Sequence, residues 1–165
     1  MWKAHRSTVP QAGSTVSERF AVRPPQLGDT RDLAKADIEC FPDPWPAQFF
    51  VSEILADGRL NRLLVDPAGR IAAYLFCAWQ YLDLHVLKVA TLAQFRRSGL
   101  ALRLMRIAEK HAEEMSGESL TLEVRRDNCS AIAMYEGLGY TREGIRRHYY
   151  PNGEDALVMT RRVGE

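Results

Sequence analysis

The chain has 165 residues, 22 Lys and Arg against 21 Asp and Glu, a net charge of +1 and 46% hydrophobic residues. That is the length of one domain with a substantial core, and the charge balance gives no global pull toward nucleic acid or an anionic membrane. No apolar run approaches the roughly 20 residues of a spanning helix. Three widely spaced cysteines without a CxxC pair, Cys40, Cys77 and Cys129, suggest neither a zinc site nor a disulfide framework. A reducing, cytoplasmic setting is the simplest expectation.

In chain order, residues 1–19 are rich in Ser, Thr, Gly and Pro and are expected to be a flexible extension, with residues 20–165 as one folded domain. The extension lacks the apolar stretch of a secretory signal. Its Arg and Ser content would suit a mitochondrial-type targeting segment, but it is weakly amphipathic and carries Glu18. Residues 20–23 make a first strand, closed by Pro24 and Pro25. Asp29 or Thr30 opens a helix, with Asp32 placed for a capping box and Ala34, Ile38 and Phe41 as its apolar stripe. FPDPWP, residues 41–46, is a loop because its prolines block a regular ladder. A short helix follows over Ala47–Leu55, with Phe50 and Ile54 on one side, and Asp57-Gly58 ends it.

Residues 60–65 and 70–79 are apolar and extended, joined by the turn Asp66-Pro67-Ala68-Gly69. Residues 81–91 complete a three-stranded meander. From Gly99 onward, Leu100, Leu104, Ile107, Ala108, His111 and Met115 recur at helical spacing, and Gly117 lies just past the end. Leu120, Leu122 and Val124 then alternate with Thr121, Glu123 and Arg125, which defines a strand with one apolar face. Asn128 is placed to cap a helix whose face carries Ala131, Ile132, Tyr135 and Leu138, and Gly139 suits its left-handed stop. Two late extended runs, 141–150 and 156–163, are joined by Pro151-Asn152-Gly153-Glu154. The order β-α-α-β-β-β-α-β-α-β-β is an α/β arrangement, a mixed central sheet with helices on both faces.

Two features carry chemistry. The turn Arg96-Arg97-Ser98-Gly99-Leu100-Ala101 brings two cations and a glycine to a helix N-terminus. Unpaired N–H groups and the helix dipole favour an anion such as a pyrophosphate there. Alone, such a turn is more often a solvated cap. Further on, a strand delivers Glu123 and the next helix returns Tyr135. Singly, a strand glutamate usually faces solvent and a tyrosine on an apolar helix face is usually core, so the question is whether they share one cleft. Cys129 has no histidine in its motif to activate it, His111 reads as structural, and His5, His85 and His148 form no metal-ligand pattern with nearby carboxylates.

These strings together carry a resemblance. RRSGLA, then LEVR, Asn, AI and YEGLGY, and finally IRRHYYPNGEDALVM over residues 145–159, resemble the GNAT acetyltransferases, and within them the N-terminal (Nα) acetyltransferases of the RimI type, which act on a ribosomal-protein alanine. The similarity spans residues 20–162 and is strongest after Val89. It implies the GNAT fold, acetyl-CoA as cosubstrate and no metal. Arg96, Gly99 and Ala101 match the fixed positions of the family's pyrophosphate motif, with Arg97, Ser98, Leu100 and Leu102 completing the turn. The backbone of Val89, Ala90 and Thr91 and the side chain of Asn128 would meet the pantetheine arm. By the same resemblance Glu123 is the general base and Tyr135 the general acid. One departure stands out: Leu92 and Ala93 occupy positions where RimI-type chains usually carry an acidic residue and a proline.

FPDPWP and the RRHYYP stretch look like the two loops that flank the acceptor in Nα-acetyltransferases. Phe41, Trp45, Tyr149 and Tyr150 would then hold an extended peptide, although packing against the first helix accounts equally well for Phe41 and Trp45. The implied acceptor is the α-amine of a protein N-terminus, such as that of a ribosomal protein beginning with alanine. With a pKa of about 7.7–8.0 against about 10.4 for lysine, that amine needs less help from a base. A small amine or lysine acceptor on the same fold, and a non-catalytic acyl-CoA-binding regulatory module, are the alternatives. No nucleic-acid or membrane partner is expected, and the chain is expected to be a monomer or homodimer.

Overall fold

Residues 71–78, IAAYLFCA, are an unbroken apolar run, and in the computed structural model all eight are buried. The structure describes residues 15–165; the extension and targeting readings lie, for residues 1–14, outside the described residues. The apolar run belongs to β3 (Ile71–Gln80), which follows β1 (Ala21–Arg23) and β2 (Arg59–Val65) and precedes β4 (Asp83–Thr91) in an antiparallel meander. A strand covered on both faces needs apolar residues at successive positions rather than alternation. Tyr74 and Phe76 pack with Leu33 and Phe50 from α1 (Thr30–Cys40) and α2 (Ala47–Leu55). Leu75 and Cys77 join the other core, with Leu100, Leu104, Met105 and Ala108 of α3 (Leu100–Glu114).

The second half adds β5 (Ser119–Arg125), α4 (Cys129–Gly137), β6 (Thr141–Arg146) and β7 (Ala156–Arg162). The sheet order is β1-β2-β3-β4-β5-β7-β6. Among the described strands, β4 and β5 make the one parallel pairing, and it is short, running from Asp83 opposite Ser119 to Val86 opposite Leu122. There β4 bulges: Cys77 pairs with Val86 and Phe76 with Lys88, so Leu87 is the extra residue. Beyond that point β4 follows β3 and β5 follows β7, and the sheet opens into a wedge.

The expected element order is the observed one, with local corrections. On α1 the buried set is Leu33, Ala36 and Asp37, and Ile38 is 68% exposed. Leu33, Ala36, Asp37 and the half-buried Cys40 are the true i, i+3, i+4, i+7 face, disguised because one member is a carboxylate. On α3 Glu109 is buried because Arg161 (2.6 Å) and Arg106 (2.8 Å) neutralise it, and Met115, just past the helix end, is 60% exposed. The capping box forms at Asp29 rather than Asp32, since Asp29 accepts from the Gln26 N–H at 2.7 Å and pairs with Arg23 at 2.7 Å. Tyr81, at φ 58°, and Leu82 form a tight β3–β4 turn that the sequence reading placed inside a strand. The first late strand stops at Arg146, and residues 147–155 form a connection over the sheet edge.

Candidate active site

The wedge has a backbone wall on β4. The Leu92 N–H donates to Ala72 O at 2.9 Å, toward β3. Strand alternation therefore turns the N–H groups of Val89 and Thr91 away from β3 and into the wedge, where β5 no longer pairs with them. The side chains of Val89 and Ala90 pack into opposite cores, so these residues offer only main chain to the opening.

At its outer end the wall runs into the basic turn. Residues Ala93–Phe95 make one 3-10 turn, and the Ala93 N–H donates to Glu39 at 3.3 Å. The chain thus turns here without the expected proline. Arg97 (φ 62°) and Gly99 (φ 72°) are both left-handed, and Gly99 precedes the first turn of α3. The first i→i−4 bond of that helix is Arg103 N–H to Gly99 O at 3.0 Å, which leaves the amides of Leu100, Ala101 and Leu102 without helical acceptors. Arg96 and Arg97 are exposed beside them, whereas the Leu100 side chain is core and contributes only its N–H.

Glu123 lies on the face of β5 opposite Leu120, Leu122 and Val124, and only 6% of its side chain is exposed. Its Oε2 is 2.5 Å from His85 Nε2 and its Oε1 is 3.4 Å from Arg146 Nε. The Gln80 amide nitrogen is 2.9 Å from His85 Nδ1, an arrangement that leaves the Nε2 proton for Glu123. Burial pushes the Glu123 carboxyl upward. The His85 hydrogen bond, the imidazole's charge when protonated and the Arg146 guanidinium more than offset this and hold it below the ordinary carboxylate value. Sequence reasoning weighed Arg146 only as a peptide contact or a solvated strand edge and His85 only as a metal ligand, which it set aside; neither was connected with Glu123. The available signal was a histidine between Leu84 and Val86 on a strand, and its meaning depends on a parallel register that aligns His85 with Thr121.

Tyr135 lies on the other side of the sheet, with the core-facing residues of β5. It is 6% exposed, packs in the core that contains Leu122 and Val124, and sits 5.8 Å from the Tyr140 ring. Its hydroxyl has no hydrogen-bond partner among the described residues. Burial pushes its pKa well up, with a smaller push from Tyr150, so the phenol stays protonated. Tyr150 is itself raised to about 12, first by burial, and it feels Glu123 as well. Asn128 is exposed and caps α4, accepting from the Ala131 N–H at 3.3 Å through Oδ1.

The two loops differ in what they present. Tyr149 is 45% exposed and packs edge-on against Tyr150 at 5.1 Å, on the Glu123 side. Phe41 and Trp45 instead close over a buried lysine: Lys88 Nζ is 4.1 Å from the Phe41 ring centroid and 4.4 Å from that of Trp45. Trp45 also packs at tilted or edge-on angles against Phe49, Phe50 and Phe76. Packing therefore accounts for these two rings, while Tyr149 and Tyr150 stand beside Glu123.

Residues 30–140 match the Acetyltransferase (GNAT) family. The ribosomal protein bS18-alanine N-acetyltransferase of Escherichia coli is 33% identical over 119 residues, covering 70% of this chain and 79% of that protein. An N-alpha-acetyltransferase of Sulfurisphaera tokodaii is 30% identical over 155 residues, covering 86% and 92%. The crystal structure of the E. coli ribosomal-protein-S18-alanine N-acetyltransferase superposes with a TM-score of 0.80 at 28% identity, over 88% of this chain and 95% of that one. Since the matched region begins at α1 and takes in the wedge, the turn before α3 and both Glu123 and Tyr135, this chain belongs to the GNAT acetyltransferase family.

Proposed function

We propose that this chain is an Nα-acetyltransferase that moves the acetyl group of acetyl-CoA to the α-amine of a protein N-terminus, with ribosomal proteins beginning with alanine as the acceptor class. The observation that carries this reading is the setting of Glu123, with one oxygen on His85 and the other near Arg146. A carboxylate so held is a good electrostatic anchor for an ammonium and a weak base. At about pH 7.5 an α-amine of pKa about 8.0 is already roughly a quarter neutral, whereas a lysine of pKa about 10.4 is neutral in about one molecule in a thousand. The arrangement suits the acceptor that needs less deprotonation. The relatives named as N-alpha- and ribosomal-alanine acetyltransferases support the same reading.

The residues present fit the cosubstrate. The free amides at the start of α3, with Arg96 and Arg97, would receive a pyrophosphate, and Val89 and Thr91 would offer their N–H groups to the pantetheine arm and the thioester carbonyl. Asn128 still has its amide N–H groups to donate toward that arm. The cosubstrate supplies an activated acyl group. Glu123, directly or through water, takes the proton that the attacking amine loses as the new C–N bond forms. Tyr135, kept neutral by burial, gives its proton to the sulfur as the C–S bond breaks.

The test is acetylation by the purified protein, read by mass spectrometry. Free N-terminal peptides, including the ribosomal type beginning with alanine, are compared with N-terminally blocked lysine peptides and small amines. Label confined to the α-amine is expected. Label on lysine or small amines would keep the fold and overturn the acceptor, and coenzyme binding without transfer would favour a regulatory module.

A further inference from the structure

Two residues beyond Glu123, on the same face of β5, Arg125 touches both loops flanking the proposed acceptor side. Its Nη2 donates to Asp43 Oδ1 at 2.6 Å, in the 41–46 loop. Its Nη1 donates to Asn152 Oδ1 at 3.3 Å and to the Glu154 carboxylate, both in the β6–β7 connection. Its guanidinium carbon stands 4.0 Å from the centroid of the Tyr150 ring. The side chain is only 15% exposed, so these contacts lie largely out of water. Among the described residues, no hydrogen bond runs directly from one loop to the other.

Each loop also has a contact of its own: the first is tied to α1 and the second is closed on itself. The Trp45 N–H donates to Asp37 at 2.6 Å, and the Tyr150 N–H donates to Glu154 O at 3.1 Å. What joins them across the Glu123 opening is one planar guanidinium that binds a carboxylate on each side and stacks on an aromatic ring. Arginine's fixed fork of donors suits that task, and lysine's single point charge does not. We propose that Arg125 is a positioning residue that couples the 41–46 loop to the β6–β7 connection and sets the gap through which the acceptor peptide reaches Glu123. The acceptor assignment rests on the Nα-acetyltransferase reading; the coupling of the two loops does not.

The test has two arms. In steady-state kinetics, Arg125→Gln is expected to raise the KM for an N-terminal peptide by about 10-fold, since misplacing an acceptor by an ångström is costly, with the acetyl-CoA Kd unchanged. Arg125→Lys is expected to recover part of the loss. An unchanged peptide KM, or an acetyl-CoA Kd that moves with it, overturns the acceptor role. The second arm is hydrogen exchange on peptides covering residues 41–47 and 147–155, which needs no activity. Arg125→Gln is expected to speed exchange in both and leave β3 protected, whereas Asp43→Asn speeds only the first. No change in either peptide overturns the coupling, as does faster exchange in β3 along with them in both Arg125 variants. A parent enzyme without N-terminal acetylation, combined with the predicted exchange pattern, would sink the function reading and keep the coupling.

Discussion

Replacing Asp37 with alanine is expected to cost about 3 kcal/mol of stability. Asp37 is fully buried and accepts from the Tyr74 hydroxyl at 2.5 Å, from the Trp45 N–H at 2.6 Å and from the Lys88 ammonium. Asp37→Ala leaves Lys88, itself 8% exposed, as a buried cation without a counter-charge. Removing one partner of a buried ion pair costs about 3–5 kcal/mol. The Phe41 and Trp45 rings over the ammonium remain in the variant and give the orphaned charge a partly favourable setting, which places the cost near the lower bound. At about 2–4 °C per kcal/mol, Tm falls by about 6–12 °C.

The sign of the pH dependence follows from Lys88. Burial lowers its pKa from 10.5 even in the parent, and Asp37 opposes that shift. Without Asp37 the folded value falls further. Between that value and 10.5 the unfolded chain binds more protons than the folded one, so stability rises with pH and the deficit narrows as pH rises through that window. Asp37→Ala/Lys88→Met removes the orphaned charge and is expected to recover about 1–2 kcal/mol. Urea denaturation at several pH values measures all three quantities. A loss under about 1 kcal/mol, a double variant no better than the single, or a pH-independent deficit would refute the reasoning.

Tyr135→Phe is expected to lower kcat by about 100-fold or more while acetyl-CoA affinity holds. Its hydroxyl has no partner within the described residues, so Tm should stay close to that of the parent; near-parental kcat would remove it as the acid. His85→Ala takes the hydrogen bond from Glu123 and lets burial dominate, so the acid limb of the kcat/KM profile should move to higher pH, and an unmoved limb would show that His85 does not tune Glu123. Gly99→Ala meets no atom within 4 Å but sits at φ 72°, so its cost is conformational, about 1–2 kcal/mol. It should also weaken acetyl-CoA binding in calorimetry, and Gly99→Asn should lose less because asparagine tolerates the left-handed region.

The order of the elements, the Asn128 cap and the left-handed Gly139 (φ 89°) were legible in the sequence, because each depends on neighbours within a few positions. The apolar run of β3 and the alternation of β5 likewise announced how each strand would be covered. Asp37 and Glu109 were absent from the expected apolar faces because the partners that make their burial tolerable, Lys88 and Arg161, lie far along the chain. The same separation hid His85 from Glu123: the contact exists because a four-residue parallel register holds β4 beside β5 up to the point where the sheet opens. The sequence by itself determined which residues could form helices, strands and an anion-binding turn, since those are local energies. Only the tertiary structure decided which buried charges are paired, that Phe41 and Trp45 close over Lys88, and that one arginine meets both loops, because these depend on strand register and on contacts that no local pattern encodes.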